Sequence, residues 1–448
     1  MRYGPVTAAE ETGGVPRRRS FADDVLTMLV SRVAVQIAGF ITGIIVARML
    51  GVEGRGVIAA VLFAPQLVLT FCAGGVGNAA AYHMGRETWD TPRIVETVLT
   101  LAMMSSLIGI SASLGWISLA WEDRYTPLLV AAAVLIVPGT VFFNYTAGIF
   151  LGYGKIPTYA IMSWGPGIGK FLLTIILVFL LGLGTVGAVG AIAIAGLLVA
   201  GTLLFKLSKL HRLRPRWNGR VARDLVTSGF SFTVVFFLMI LIYRANVILI
   251  QHYGSIEQLG IYSIGSMLAE LLWQVPAVLS ALIFAKSAAA KDGKAFATKV
   301  AALARLTLVF GIAVSAVIAV IIPYFVVLAY GRDFAPSADI VRALLPGTVS
   351  IMIFKILRQD LTGRGRPWVA LWVVIPMLAA TFIAGRFVIP VYGAMGAAYT
   401  TSAVYIVGTI GLIGIYSRTV GIGVGEVLRY RRSDFSDLWT RVRSKLRR

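Results

Sequence analysis

The feature that most constrains this chain is a succession of long apolar windows. Mostly apolar stretches of ~20 residues, the length an α-helix needs to cross a bilayer, fall near 25–47, 57–83, 95–120, 127–150, 157–181 and 185–206. A second series falls near 226–250, 259–285, 300–329, 338–357, 367–390 and 393–416. Only short loops separate them, so no soluble domain is inserted. One polar stretch, Lys206–Asp224, divides the series and carries Lys206, Lys209, Arg212, Arg214, Arg216, Arg220 and Arg223 against Asp224 alone. The expected fold is all-α and integral to the membrane, with about twelve transmembrane helices in two six-helix bundles around a central cleft. The expected divisions are an N-terminal cytoplasmic segment (1–24), a first bundle (25–206), a basic linker (207–225), a second bundle (226–416) and a basic amphipathic tail (417–448).

Composition excludes the soluble alternative. The chain is 58% hydrophobic and 14% charged, whereas soluble domains carry roughly 25% charged residues. A net charge of +21 would suggest nucleic acid in a soluble protein, but here the basic residues fall mostly in alternate loops. Arg86 and Arg93, Lys155, the linker, Lys286, Lys291, Lys294 and Lys299, then Lys355, Arg358, Arg364 and Arg366 are assigned to one side. The other side holds Arg48 and Arg55, Arg124 with Glu122 and Asp123, Arg332 with Asp333, and Arg386. The positive-inside rule then puts both termini in the cytoplasm. In the tail, Phe435, Leu438, Trp439, Val442 and Leu446 recur at helical spacing among basic residues, a pattern suited to an anionic membrane surface. Cys72, the single cysteine, lies in an apolar span and reads as a small buried hydrophobe.

The two series repeat one another. Leu50–Gly56 joins the first two spans, and Tyr253–Gly260 joins the seventh and eighth. Gly152–Pro157 precedes the fifth span and Gly363–Pro367 the eleventh; each proline has another nine residues on, Pro166 and Pro376. Gly187–Ala191 opens the sixth span and Gly393–Ala397 the twelfth. Three landmarks in the same order, at an offset of roughly 200–210 residues, indicate a six-plus-six duplication. An even number of spans gives both halves the same orientation, and rocking one bundle against the other would provide alternating access.

An ionisable group inside a span costs at least ~2.5 kcal/mol and should face a cavity or a partner. The candidate substrate-binding residues are Arg32 and Gln36 in the first span, Asn144 in the fourth, Lys170 in the fifth, and Arg244 and Asn246 in the seventh. Arg32, Lys170 and Arg244 would attract an anionic group, or else form interhelical pairs or snorkel to headgroups. Glu270, read as the one deep acid, is the ion-coupling candidate or a salt-bridge partner. A helix break at Gly165-Pro166-Gly167, with Pro276 and Pro376, suggests gating segments. His83, His211 and His252 are scattered without metal-ligand spacing, and there is no phosphate-binding loop of the P-loop type. No enzymatic activity, metal or cofactor is expected. An ion gradient, of protons or sodium, or the substrate gradient remains as the energy source.

The residues also carry a resemblance. Ile45–Gly51 followed by Gly54-Arg55-Gly56, and a second helix ending Gly75-Val76-Gly77-Asn78, resemble the oligosaccharide flippases of bacterial polysaccharide biosynthesis. Tyr243–Leu249, then Gly254 and Leu259–Tyr262, are similar to the second-half pattern of that family. These flippases belong to the multidrug/oligosaccharidyl-lipid/polysaccharide exporter superfamily. The resemblance implies flipping of an undecaprenyl-diphosphate-linked oligosaccharide across the bacterial inner membrane, with membrane lipids and possible assembly proteins such as a polymerase as partners. Where the family commonly has Arg-x-Asp in the seventh span, this chain has Asn246, so a cation-binding carboxylate is missing there. A drug or cation antiporter of the same superfamily is the alternative, and would call for several deep carboxylates. A membrane glycan polymerase would need a large outer loop and a catalytic base, and neither is visible.

Overall fold

The computed structural model describes residues 21–73, 75–120, 123–153, 156–288 and 293–429, with side chains of the first helix from Val35 onward. The Arg32 side chain, Glu122, Lys155, the Ser163 side chain, Lys291 and the expected tail helix from Phe435 to Leu446 lie outside the described residues. Among those described, every regular element is helical.

The first half contains α1 (Phe21–Cys72), α2 (Val76–Gly85), α3 (Thr91–Leu119), α4 (Pro127–Gly152), α5 (Ile156–Thr174) and α6 (Gly184–Ser208). The second contains α7 (Gly219–Tyr253), α8 (Ile256–Glu270), α9 (Gln274–Ala288), α10 (Gly293–Tyr330), α11 (Pro336–Gly363), α12 (Leu371–Val420) and the short α13 (Val424–Leu428). The helix starts are written locally. Thr126, ahead of Pro127, accepts a hydrogen bond from the Leu129 N–H, Asn218 does the same for Val221, and Ser255 for Gln258. Among the described residues, seven helices are long and apolar enough to cross a membrane, so the chain is a multi-pass membrane protein. Two of the seven bend sharply, one at Gly51 and one at Gly393, and each holds two of the expected spans.

The helices pack as two lobes, α1–α6 and α7–α12. One end of the molecule carries the Lys206–Asp224 strap; the opposite, far end carries the Gly51 bend, the α3–α4 turn and the α7–α8 turn. The repeat is visible in the backbone, with one change of register. Gly184 (φ 58°) and Gly393 (φ 56°) share a left-handed conformation. The third landmark therefore aligns Gly184 with Gly393 and Gly187 with Gly396, three residues from the alignment read off the Gly-Ala pattern. α5 is also corrected: the helix continues through Gly165-Pro166-Gly167, and its irregular part is a π turn at Ile175–Leu180. In the second half the helix breaks at a 3₁₀ turn, Leu271–Trp273. Pro276 then sits in the first turn of α9, where a missing N–H costs least.

The far end is sealed by a reciprocal contact between lobes. A Cβ on Gly56 would fall on the Ile256 carbonyl oxygen, and one on Gly260 would fall on that of Val52. Gly56 and Gly260 are repeat partners, as are Val52 and Ile256, so this is a pseudo-two-fold interface inside one chain. Polar contacts reinforce it. Arg124 pairs with Glu53 of its own lobe and reaches Glu257 of the other at 3.8 Å. The Glu257 carboxyl is held below its usual range by the Ser255 hydroxyl first, then by its own N–H and by Arg124. Arg48 donates to the terminal carbonyls of α10, at Leu328 and, 2.7 Å away, at Ala329. At the strap end α2 lies on α7, with Gly75 against Gly229 and the Trp89 indole donating to Asp224 at 3.1 Å.

Gly56→Val should prevent the seal from forming, because backbone rather than a flexible side chain occupies the space. On a Cys72→Ala background, a cysteine placed at Val52 is expected to react with a polar maleimide at least about tenfold faster in the Gly56→Val protein. An unchanged rate would show that the far end is held by something else.

Candidate functional site

Toward the strap end α1 and α8 diverge, and a cavity of about 560 Å³ opens between the lobes. α1 contributes Gln36, Gly39 and Phe40; α5 contributes Gly167 and Lys170; the α8–α9 segment contributes Met267, Glu270, Trp273 and Gln274; α11 contributes Lys355. The wall is mixed in character because each helix turns a small or polar stripe inward. Gly39 leaves open space, and Gly167 packs directly on Val35.

Cations from both lobes face this space. Lys170 belongs to the first lobe. Lys355 comes from the second, its Nζ 3.4 Å from the centroid of the Trp273 ring and 4.9 Å from that of Tyr243. An ammonium held over two aromatic faces is partly compensated without a carboxylate. Arg244 stands 4.0 Å from Glu270, with 41% and 26% of the side chains exposed, so the pair remains open to exchange. Glu270 is the one acid lining the cavity among the described residues. Arg358, one turn beyond Lys355, has a buried Nε without a hydrogen-bond partner. A low-dielectric space with this balance attracts a multivalent anion.

The structure brings together Gln36, Lys170, Arg244 and Glu270 and separates two other expected residues from them. Asn144 bonds back to the Thr140 carbonyl at 2.8 Å, and its backbone packs on Gly77 inside the first lobe. Asn246 is buried and ties α7 to α8 and α12 through the Tyr262 hydroxyl at 2.8 Å and Thr401 at 2.5 Å. Gly165 packs on Val199 of α6, and Pro376 lies in a separate apolar groove between the two limbs of α12.

Lys355, Arg358 and Arg55, which the charge pattern places in loops, lie within helices: the first two in α11, the third in the second limb of α1. The window at 338–357 takes in Lys355, but its nearness to Arg358, Arg364 and Arg366 groups it with the loop charges. A helical projection would have found Lys355, which continues the apolar run Val349–Phe354. Glu270 is not the only deep acid either. Asp360 is fully buried and accepts from the Ser287 and Tyr416 hydroxyls at 2.5 and 2.7 Å and from Arg364 at 2.8 Å. Those partners occupy it, so it is a structural anion rather than a site for exchange.

The two acids should therefore behave differently. Asp360→Asn is expected to cost about 3–5 kcal/mol of stability by leaving Arg364 short of its partner. Glu270→Gln is expected to cost below about 1 kcal/mol. Thermal unfolding of the purified protein measures both, and equal losses would contradict this division.

Similarity to known proteins agrees with the architecture. A family model described as polysaccharide biosynthesis protein matches residues 21–284. No curated protein matches the chain in sequence. A structure of the lipid II flippase MurJ in an inward closed conformation is similar over 90% of this chain and 89% of that one, with a TM-score of 0.74 at 13% identity. An inward-facing multidrug resistance MATE family transporter of the MOP superfamily is similar over 88% and 98%, with a TM-score of 0.67 at 16% identity. A MOP superfamily transporter from Pyrococcus furiosus gives 0.60 at 14% identity, over 88% and 94%. At these identities the likeness is one of fold.

Proposed function

The chain belongs to the family of polysaccharide biosynthesis proteins, and we propose that it is a flippase moving a polyprenyl-diphosphate-linked oligosaccharide across the bacterial cytoplasmic membrane by alternating access. The observation that carries this reading is that Lys170 and Lys355, from opposite lobes, face one cavity lined by a single acid among the described residues. A diphosphate is the part of such a substrate that cannot enter hydrocarbon unaided, and paired cations replace its water. Gln36, Gln274 and Arg244 add donors for the phosphates or for sugar hydroxyls.

The lipid tail has a route that stays in hydrocarbon. An apolar groove formed by α1, α8 and α10, with Phe310, Ile318 and Ile321 on its wall, shares Phe40 and Leu271 with the cavity. The headgroup would occupy the cavity while the tail lies in this groove. In this reading the strap end and both termini face the cytoplasm, the side that the basic residues favour. The protein transports without making or breaking covalent bonds. Glu270 is the candidate for coupling to a proton or sodium gradient, since its pair with Arg244 is the exchangeable one. A drug antiporter would need a carboxylate-lined cavity to hold cations, and the excess of Lys170, Arg244 and Lys355 over Glu270 favours anions.

The test is glycan export by cells that depend on this protein. A Lys170→Gln/Lys355→Gln double variant, present in the membrane at the wild-type level, is expected to export at least about tenfold less surface glycan. Normal export by that variant would refute the reading.

A further inference from the structure

Arg55 is a half-buried charge that the proposed path leaves without a role. It stands one turn beyond the Gly51 bend, immediately before Gly56, whose missing Cβ lets Ile256 close the far end. Its guanidinium points from that seal toward the cavity. Nη2 meets the Met267 sulfur at 3.9 Å, and Met267 lines the cavity. The buried Nε has no hydrogen-bond partner. Tyr330, whose hydroxyl is also buried without a partner, and Arg244 lie within electrostatic reach of it, as does Lys170. A thioether is a weak acceptor for a guanidinium, and an orphaned buried donor is costly. Two orphans, one on Arg55 and one on Tyr330, thus lie within electrostatic reach of each other, and Met267, which Arg55 touches, lines the cationic cavity.

We infer that Arg55, with the Tyr330 hydroxyl, forms the far-side station of the anion path, vacant while the far end is sealed and filled as the seal parts. The inference rests on the flippase reading. Mechanical coupling follows from where the residues sit. Arg55 shares its helix limb with Val52 and Gly56; Met267 shares α8 with Gly260, whose N-terminal residue is Ile256. The motion that lifts Ile256 off Gly56 therefore also draws Met267 away from Arg55. An anion held by Lys170 and Lys355 then gains a guanidinium that it could not reach before, at the moment the far side opens. Charge-assisted hydrogen bonds to the phosphates would form in the second state only, which is what gives the substrate a differential affinity for it. Arg55 is thus a second binding residue, engaged after those that first capture the headgroup.

The experiment separates capture from passage. Binding of inorganic pyrophosphate to the purified protein in nanodiscs reports capture in the sealed state, and surface glycan export by intact cells reports the whole cycle. Arg55→Gln should bind pyrophosphate within about twofold of wild type and export at least about tenfold less. Arg55→Lys should restore export to within about threefold, and Tyr330→Phe, which removes one hydroxyl only, should lower export while leaving binding unchanged. If Arg55→Gln loses as much pyrophosphate affinity as Lys170→Gln, Arg55 belongs to the capture site and the inference is wrong. Wild-type export by Arg55→Gln overturns it as well. Should the Lys170→Gln/Lys355→Gln protein bind pyrophosphate normally, the flippase reading itself fails, whatever Arg55 does.

Discussion

Everything in this fold hangs on two glycines meeting two carbonyls. Gly56 lies on Ile256 and Gly260 on Val52 at distances that no side chain would permit. Because each lobe offers the same segment to the other, the contact is self-complementary and needs only one short sequence pattern, used twice. The consequences are geometric. With α1 and α8 pinned at the far end, the cavity lies between their strap-end parts, with α5 and α11 completing its wall. The adjoining polar contacts from Arg48 and Arg124 are more exposed and shape the rim; exposed pairs of this kind are worth tenths of a kcal/mol.

The second constraint is electrostatic. Lys170 and Lys355 line a cavity of mixed polarity with Glu270 as the lining acid, and Arg244 stands beside that acid. Aromatic faces, in Trp273 and Tyr243, hold Lys355 without neutralising it. A lobe arrangement of this kind carries unspent positive charge on both walls, and an anion that bridges them lowers the energy of bringing the walls together. In a flippase of the kind proposed, alternating access and anion selectivity would then come from the same residues.

Much of this was legible in the sequence, and the failures share a cause. Apolar windows located the helices, and the glycine landmarks located the repeat, including the two segments that form the seal. Gln36, Lys170, Arg244 and Glu270 were visible because each interrupts an apolar run. Lys355 and Arg55 were hidden because a charge near the end of a run is counted with the loop charges beyond it, while the helix continues past it. Asn144 and Asn246 are polar residues of the spans that the structure sets apart from the cavity. Polarity inside a span is also satisfied locally, by a carbonyl four residues back or by hydroxyls on neighbouring helices. The break expected at Gly165-Pro166-Gly167 failed to appear because α5 keeps its helix past the proline and becomes irregular only at Ile175–Leu180.

The central claim is that the cavity is built for a multivalent anion. Competition binding on the purified protein measures this directly, with inorganic pyrophosphate set against a lipophilic organic cation such as tetraphenylphosphonium. The account predicts saturable pyrophosphate binding that weakens as salt is raised and that the cation does not displace. Saturable binding of the cation, with none of pyrophosphate, would contradict it.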